Sequence, residues 1–360
     1  MKNIIVIGPF PPPVYGSSKN LKIVADTLEK NTHITRICIS PGSIVRSKQY
    51  HIKKLTKVIK GLSKLFISGI RSNSPTVYMP PDAGMGMYYT LLFVTLARLL
   101  KLNIFLHHRS FAYINYRNKV MQMLVNMAGK DAVHIFLCQN MENQFRSLYE
   151  QDFRSLVVSN AQHVQPISIE KTKPLHNTFV MGHLSNLGVE KGLKDVIELT
   201  EKLLKEGHAV KLILAGPVEN KLAQSVLDNA ISKLGQHLEY RGYVNHSDKQ
   251  AFFGDIDLFL FPSRYRNEAQ PNVIFEANAH AVPVITLKRG CISSDVNIAN
   301  GIVLDPDKHF ASEAYPIIVQ WLMSPDEYMR LKRSTLSKIT EAGLQAEHAF
   351  KQMIEAIENA

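Results

Sequence analysis

Apolar residues fall along the chain in short continuous runs, and longer amphipathic stretches separate these runs. A run of about 4–8 apolar residues is typical of a strand that is buried on both faces of a parallel sheet. The amphipathic stretches predict crossover helices between such strands, so the alternation predicts an α/β protein. The predicted strands are Lys2–Ile7, Ile34–Ser40, Thr76–Met79, Asn103–Leu106, Val133–Leu137, Thr178–Met181, Lys211–Ala215, Leu238–Arg241, Ile256–Phe261 and Pro283–Leu287.

A polar, proline-containing segment near the middle of the chain interrupts this alternation and is typical of a linker. A length of 360 residues also favours two domains over one. We therefore predict an N-terminal domain at 1–165, a linker at 166–176 and a C-terminal domain at 177–340. Three helices are expected to end the chain, and the last of them, at 341–360, can return to the N-terminal domain.

Charge is distributed unevenly between the two halves. Residues 1–165 contain 21 Lys and Arg against 7 Asp and Glu, whereas residues 166–360 contain 21 against 24. The whole chain carries a formal net charge of +11. Such an asymmetry supports two domains and indicates that the first domain meets an anionic partner.

Residues 46–66 predict a basic amphipathic helix, with lysines on the face opposite an apolar stripe. A helix of this kind can lie on an anionic membrane surface, and a solvated lysine-rich face is the equally weighted alternative. Nucleic acid is disfavoured because no aromatic residues are interleaved with the lysines. The apolar positions at helical spacing are Ile52, Leu55, Val58 or Ile59, Leu62, and Leu65 or Phe66.

Several other functional classes lack their sequence signals. No signal peptide is expected, because Met1-Lys2-Asn3 runs straight into the first predicted strand. The apolar segment Met85–Leu100 is too short to span a bilayer and predicts a buried helix. Three widely separated cysteines lack metal-site spacing and are typical of a reducing cytoplasm. The loop after the first strand lacks the G-x-G-x-x-G spacing, which argues against NAD or FAD.

The richest chemistry follows the apolar run Ile256–Phe261. Glu268 lies on the loop at the carboxyl end of this strand, Pro271 is expected as the first helical residue, and Glu276 comes one to two turns later. Ligands of open α/β sheets bind at this edge. The first helical amides favour a negative ligand group. These amides belong to Asn272, Val273 and Ile274.

Two carboxylates and a set of amides around one pocket suit a nucleotide-sugar. Carboxylates accept hydrogen bonds from sugar hydroxyls, and amides hold phosphate. A second loop, Gly182–Gly192, joins a strand to a helix and contains Lys191, a combination that suits a diphosphate. The alternative is that Glu268, Glu276 and Lys191 are solvated surface charges.

The segment Glu-Ala-Gln-Pro-Asn-Val-Ile-Phe-Glu, followed by Pro283-Val284-Ile285, resembles the Glu-x7-Glu motif of family-4-type retaining glycosyltransferases. Three further segments resemble the same family: Gly8–Gly16, the Gly-x-Leu-Ser…Lys-Gly loop that ends at Gly192, and Gly242-Tyr243-Val244. The resemblance implies the GT-B fold, in which two Rossmann-like α/β domains face each other across a cleft.

The resemblance also implies roles for individual residues. Glu268 would accept from hydroxyls of the transferred sugar, Glu276 from the ribose, and Lys191 would neutralise the diphosphate. His108 would contact the donor sugar at the reacting centre, with His107 as the alternative. The other implied donor-binding residues are Gly16, Gly182, His183, Ser185, Gly216, Tyr243, Val244, Asn272, Val273 and Ile274.

The implied activity is retaining transfer of a sugar from a nucleotide-sugar to a glycan or lipid-linked acceptor in surface polysaccharide synthesis. No metal or other cofactor is required when a lysine and helix amides carry the charge, and the acceptor would bind the first domain. An epimerase of similar fold and a non-catalytic nucleotide-sugar-binding protein are the alternatives. Departures from the family pattern keep them open: Tyr15 for Gly, His183 for Arg and Ala281 for Gly. The expected location is the cytoplasm, and a peripheral position at the inner face of the cell membrane is a further possibility.

Overall fold

The computed structural model describes residues 3–13, 16–43, 48–71, 75–167 and 178–360, without the side chain of His246. Tyr15, Arg46 and most of the predicted linker lie outside these residues. The chain divides into two compact units. The first comprises Met1–Ser159 together with Ala346–Ala360, and the second comprises Asn160–Gln345.

The first unit contains a six-stranded sheet in the order β2-β1-β3-β4-β5-β6. All neighbouring strands run parallel. Apart from the exposed edges of the sheet, the strand interiors are buried, which agrees with their continuous apolar sequences. The strands are β1 (Asn3–Gly8), β2 (His33–Cys38), β3 (Thr76–Met79), β4 (Asn103–His107), β5 (Val133–Phe136) and β6 (Arg154–Val157).

Helices connect these strands as the amphipathic pattern predicts. The side chain of Asn118 caps α4 by accepting from the amides of Val120 and Met121. Met353, Ile354 and Ile357 at the end of the chain are buried in the core of this unit. The helices are α1 (Gly16–Leu28), α2 (Lys48–Ile70), α3 (Gly86–Leu99), α4 (Lys119–Ala128) and α5 (Gln139–Tyr149).

The second unit contains a six-stranded parallel sheet in the order β12-β11-β10-β7-β8-β9. From β7 the chain first adds strands on one side and then crosses to add β10 on the other. The crevice beside such a reversal is where open α/β sheets bind ligands. The strands are β7 (Phe179–Leu184), β8 (Val210–Ala215), β9 (Leu238–Tyr240), β10 (Leu258–Phe261), β11 (Val284–Leu287) and β12 (Gly301–Leu304).

The helices of the second unit start at recognisable caps. Asn220 caps α7, and Asn245 with Asp248 forms a capping box for α8. Pro325 opens α12 with acidic residues in its first turn, as the helix dipole favours. The helices are α6 (Leu193–Lys205), α7 (Lys221–Leu234), α8 (His246–Asp255), α9 (Asn272–Ala279), α10 (Ile292–Asp295), α11 (Phe310–Met323) and α12 (Pro325–Asn359).

Two helices, not three, follow β12. The predicted helix at 341–360 is the second half of α12, which runs for 35 residues without interruption. Its single internal glycine, Gly343, costs helix stability but does not break a helix as proline would.

Only one face of the apolar helix within Met85–Leu100 is buried, so the prediction of a fully buried helix is wrong. Met87, Phe93 and Val94 of α3 are buried, whereas Leu92 and Leu99 are exposed. Within the described residues, no helix is both long and apolar enough to cross a bilayer.

Candidate active site

Two loops of the second unit meet at the reversal point of its sheet. The first follows β7 and leads through a short 3-10 turn, Val189–Lys191, into α6. The second follows β10 and leads into α9. Because β7 and β10 are hydrogen-bonded neighbours, their carboxyl ends bring the two loops together.

Lys191 and Glu268 form the ion pair that joins these loops. Lys191 Nζ donates to Glu268 Oε2 at 2.6 Å, and the two side chains are only 23% and 13% exposed. Ser263 Oγ donates to the same carboxylate oxygen at 3.1 Å. The ammonium also lies 4.4 Å from the ring centroid of Tyr265, which adds a cation–π contact. A lysine at the positive end of α6 thereby gains an anionic neighbour.

The backbone beside Lys191 requires a glycine. Gly192 has φ +90°, and a Cβ there would come within 2.6 Å of the carbonyl oxygen of Pro262. The neighbouring amide of Arg264 donates to the Glu190 carbonyl at 2.7 Å. The two loops are therefore in direct backbone contact. This contact fixes the position of the Lys191 backbone relative to the loop that carries Glu268.

The loop that carries Glu268 is also held from behind. Gly290, at φ +49°, packs so closely that a Cβ would lie 2.3 Å from the Glu268 carbonyl oxygen. The amide of Cys291 donates to the Ala269 carbonyl at 2.7 Å. These contacts leave the Glu268 backbone little room to shift.

Gln270 connects the same loop to two other elements. Its Oε1 accepts from the amide of Asn160 at 2.7 Å, and its Nε2 donates to Asp295 Oδ1 at 2.9 Å. Asn160 Nδ2 also donates to the Gln270 carbonyl at 3.0 Å. Burial raises the pKa of the Asp295 carboxyl to about 8, and the hydrogen bond from Gln270 opposes that rise.

The start of α9 differs by one residue from the prediction. Pro271 has an extended ψ of 119° and is the N-cap, so the helix begins at Asn272. The amide of Ile274 donates to the Pro271 carbonyl at 3.2 Å, and no side chain caps the helix. The first amides of a helix have no intrahelical acceptor, so those of Asn272 and Val273 are available to an anion.

Glu276 has a protein partner of its own. Lys249 Nζ of α8 donates to Glu276 Oε2 at 2.9 Å, and the carboxylate is largely buried. The lysine orients this carboxylate, whose other oxygen can accept from a ligand hydroxyl.

His183 stands where the resembling family often has an arginine, but its ring is fully buried. Nδ1 donates to the Leu260 carbonyl at 2.9 Å, so the neutral ring presents Nε2 as an acceptor for the Ser185 hydroxyl, also at 2.9 Å. Burial, aided by the charge of Lys191, lowers the pKa of His183 to about 4 against an opposing effect of the Leu260 bond. His183 is therefore neutral near pH 7; it joins β7 to β10 and orients Ser185.

The predicted glycines have different environments. Gly182 lies inside β7, where a Cβ would meet Ile256 at 2.6 Å, so it serves packing. Gly216, at φ +114°, lies against the Ser185 carbonyl, and its amide donates to the Gly242 carbonyl at 2.7 Å. The loops after β7, β8 and β9 are thereby in contact. Gly16 opens α1 in the first unit with open space around it.

The two residues predicted to read the nucleobase differ in exposure. The side chain of Tyr243 is 74% exposed, whereas Val244 is buried in a core cluster of the second unit. Their backbone follows Gly242, which lies beside the Gly216 loop.

Both histidines after β4 are buried. His108 Nε2 bonds to His134 Nδ1 at 2.9 Å, its Nδ1 lies 3.2 Å from the Tyr113 hydroxyl, and its ring stacks on Phe136. Burial, followed by the effect of His134, lowers the pKa of His108 well below its usual range. Both ring nitrogens are engaged within the first unit, and the catalytic role of His108 stays a prediction.

His107, the alternative, is the last residue of β4. Its Nδ1 lies 2.6 Å from the Tyr78 hydroxyl and 3.3 Å from Arg109 Nη2. This group lies at the carboxyl ends of β3 and β4, the edge at which α/β sheets bind ligands.

Several site residues escaped the sequence reading. Ser263 and Tyr265 lie on the loop between β10 and α9, but nothing in the sequence distinguishes a hydroxyl or ring that contacts the ion pair from a solvated one. Lys249 and Asp295 lie on other elements and required the tertiary contacts. In the described ranges, no group of three or more His, Cys, Asp or Glu could hold a metal ion.

Residues 164–335 match the family described as Glycosyl transferases group 1. This match contains both loops of the ion pair and the start of α9. This segment, called the group 1 segment, is similar to that family. A curated relative of the chain is the capsular polysaccharide biosynthesis glycosyltransferase CapM of Staphylococcus aureus, 29% identical over 134 residues. The aligned part is 37% of this chain and about a third (34%) of the length of that relative.

Solved structures extend the likeness from the group 1 segment to the full chain. Anabaena Alr3699/HepE in complex with UDP has a TM-score of 0.70 at 16% identity, with 100% of both chains covered. Sucrose-phosphate synthase of Thermosynechococcus elongatus has a TM-score of 0.71 at 14% identity, covering 99% of this chain and 100% of the other. These matches and the two parallel sheets confirm the predicted GT-B class of α/β fold.

Proposed function

We propose that the protein is a retaining glycosyltransferase that moves a sugar from a nucleotide-sugar to a glycan or lipid-linked acceptor in surface polysaccharide synthesis. The group 1 segment and the CapM relative support the transferase class and the polysaccharide context. Structural neighbours were solved with UDP and with UDP-glucose, which makes a UDP-sugar the first donor to test.

The observation that carries the proposal is the Lys191–Glu268 pair at the reversal point of the second sheet. A cation and an anion held together at a ligand-binding edge match a donor that has both a diphosphate and sugar hydroxyls. The uncapped start of α9 adds amides for a phosphate in the same loop system.

In the proposed reaction, the bond between the anomeric carbon and the diphosphate oxygen breaks, and its electron pair stays on that oxygen. Lys191 and the amides of Asn272 and Val273 stabilise the growing negative charge, which lowers the barrier because the charge is larger in the transition state. The acceptor hydroxyl attacks from the same face, and its proton passes to the leaving phosphate. Glu268 holds the transferred sugar and Glu276 holds the ribose.

This mechanism uses no metal and no covalent nucleophile. Lys191 supplies a full positive charge at the diphosphate, and His183 supplies none because it is neutral near pH 7. In this proposal the Ser185 hydroxyl donates to His183 and offers its oxygen as an acceptor to a hydroxyl of the nucleotide-sugar, so it does not replace the phosphate contact of the arginine of many relatives. The reaction places the protein in the cytoplasm, where nucleotide-sugars are made.

The test is a donor panel. Purified protein is incubated with UDP-, GDP- and other nucleotide-sugars, and nucleotide release is measured with wild type and with Glu268→Gln. We expect slow release from one donor, reduced at least tenfold in the variant. Glu190→Gln is the matched control, because this exposed carboxylate lies in the same loop system without contacting Lys191 Nζ.

Other outcomes would replace the proposal. Conversion of the donor sugar without nucleotide release would indicate an epimerase. Tight donor binding without turnover, even with a membrane extract as acceptor, would indicate a non-catalytic binding protein. An inverted anomer in the product would contradict retention.

A further inference from the structure

Helix α2 exposes a stripe of apolar residues at helical spacing, a pattern that is usually found on the buried face of a helix. The helix packs against the first unit through another row, which includes Val58, Gly61 and Leu65. The exposed stripe side chains have between 48% and 67% of their surface accessible. They recur at steps of three, four and seven residues, which align on one helical face. They are Ile52, Leu55, Ile59, Phe66 and Ile70, and Ile67, which is 44% exposed, adjoins them on the side of the lysine row.

Lysines form a row on α2 between Ile67 and the face that packs on the first unit, and no carboxylate accompanies them. Lys53, Lys57, Lys60 and Lys64 fall within about 60° of one another at 100° per residue, and all four are exposed. Helix α2 contains no Asp or Glu. Between Glu29 and Asp131 the sequence has a single carboxylate, Asp82, and Lys54 already pairs with it at 3.0 Å.

The neighbouring helix extends the apolar character. Helix α3 packs against α2, and its exposed side chains include Tyr88, Leu92 and Leu99. The helix between residues 52 and 70 is about 27 Å long at 1.5 Å per residue. Such a length of exposed apolar surface on a soluble unit marks an interaction site rather than scattered surface residues.

We propose that the exposed stripe of α2 docks on an anionic lipid surface, with the lysine row at the headgroups. An apolar face beside a lysine row is the arrangement by which a helix lies in the plane of a membrane interface. Each lysine near an anionic leaflet adds attraction within a Debye length, so charge and apolar burial act together. This partner deepens the proposed function, because a lipid-linked acceptor is reached at such a surface.

Charge favours lipid over a second copy of the chain. Self-pairing of α2 would bring two lysine rows together, and the helix has no acidic residue to compensate them. An anionic surface compensates every lysine at once. The stripe residues are also already exposed, so docking requires no unfolding of the first unit.

The experiment is co-sedimentation with vesicles that contain no donor and no acceptor. Vesicles of phosphatidylcholine alone are compared with vesicles that carry about one third phosphatidylglycerol, at low and high salt. We expect binding to the anionic vesicles at low salt, weakened by salt. Ile59→Asp with Phe66→Asp should lower the apparent affinity at least tenfold, and Lys57→Gln with Lys60→Gln several-fold.

Matched controls come from the second unit. Leu222→Asp places the same charge at an exposed apolar site of α7, and Lys205→Gln with Lys221→Gln removes two exposed lysines. Both should bind vesicles like wild type, and all variants should keep their thermal unfolding midpoint. Unchanged vesicle binding by Ile59→Asp with Phe66→Asp, or equal binding to neutral vesicles, would overturn the proposal.

A concentration-dependent dimer that Ile59→Asp abolishes would assign the stripe to a second copy instead. Because the vesicles lack substrates, a failure of lipid binding leaves the donor panel unaffected. Conversely, a protein that binds lipid but releases no nucleotide would contradict only the proposed transferase activity.

Discussion

At the scale of single residues, the charge of Lys191 is the main test of the proposed chemistry. Lys191→Met keeps the chain length and removes the charge that would stabilise the departing diphosphate. We expect kcat for nucleotide release to fall about 10²–10³-fold, as when one transition-state donor is removed elsewhere. Steady-state kinetics with the donor found in the panel measures this.

Lys194→Met is the control for Lys191, because Lys194 is an exposed lysine in the first turn of α6, the helix that follows the turn of Lys191. It should leave kcat within about twofold of wild type, since its charge meets no partner of the ion pair. A Lys191→Met variant that changes only KM would show that the lysine contributes equally to ground state and transition state.

The buried ring of His183 makes stability depend on pH. Its folded pKa of about 4 lies below the usual value of 6.5, so the unfolded chain binds a proton that the folded chain refuses. Above about pH 6.5 the ring is neutral in both states, and the free energy of unfolding is unaffected by this group. As pH falls from 6.5 towards 4, the unfolded state takes up the proton and the free energy of unfolding decreases. This group alone contributes a loss of up to about 3 kcal/mol in the free energy of unfolding.

Urea unfolding at several values between pH 7.5 and 4.5 measures that loss. His183→Gln keeps a donor for the Leu260 carbonyl and does not titrate, so its stability should fall less steeply on acidification. His348→Gln, at an exposed position of α12, should follow the wild-type curve. Parallel curves for His183→Gln and wild type would show that His183 has no part in the acid sensitivity.

At the scale of elements, the end of α12 belongs to the core of the first unit. The side chains of Met353 and Ile357 are fully buried there. Met353→Ala removes a large buried side chain, and we expect a loss of about 2–5 kcal/mol in the free energy of unfolding. Denaturant unfolding measures it, with the exposed neighbour substitution Gln352→Ala expected to cost little. A loss below about 1 kcal/mol would mean that this end of the helix is not part of the cooperative core.

The order of strands and helices could be predicted because apolar period and caps are local signals. The choice of helix face could not. Helix α2 has two apolar rows. The row that is buried contains Gly61, which leaves room for Ile37 and Phe93 to pack against the helix, although the other row has more large apolar residues. The continuous α12 was missed for a related reason, since its second half is stabilised by a core distant in sequence.

The residue types of the candidate site were also predictable, but their partners were not. Glu268 and Lys191 are 77 positions apart, so only the neighbouring strands β7 and β10 reveal their bond. The departure at Ala281 has a local meaning as well. Ala281 has φ +57°, the left-handed position after a helix end that favours glycine, which explains why glycine is common there in the resembling family.

At the scale of the whole molecule, the proposal separates the two units by task. The donor should bind the second unit, so hydrogen exchange with saturating UDP should show its largest protection within 182–193 and 268–276. Glu276→Gln should weaken that protection, whereas Glu219→Gln, a carboxylate on the other side of the β7 loop, should not. The largest protection in residues 3–143 instead would place the nucleotide site in the first unit.

The bond between Lys191 and Glu268 means that a donor meets a lysine whose charge is already neutralised within its own fold. Donor binding would then replace the Glu268 carboxylate by the donor diphosphate as the counter-ion of Lys191, so only a negatively charged ligand would separate the lysine from the glutamate. A free sugar can satisfy Glu268 only against the competition of the ammonium, whereas a diphosphate takes the ammonium and releases the carboxylate for hydroxyls. In the proposed function, the pair would make recognition of the sugar conditional on the phosphate and would protect the site from the uncharged monosaccharides of the cell.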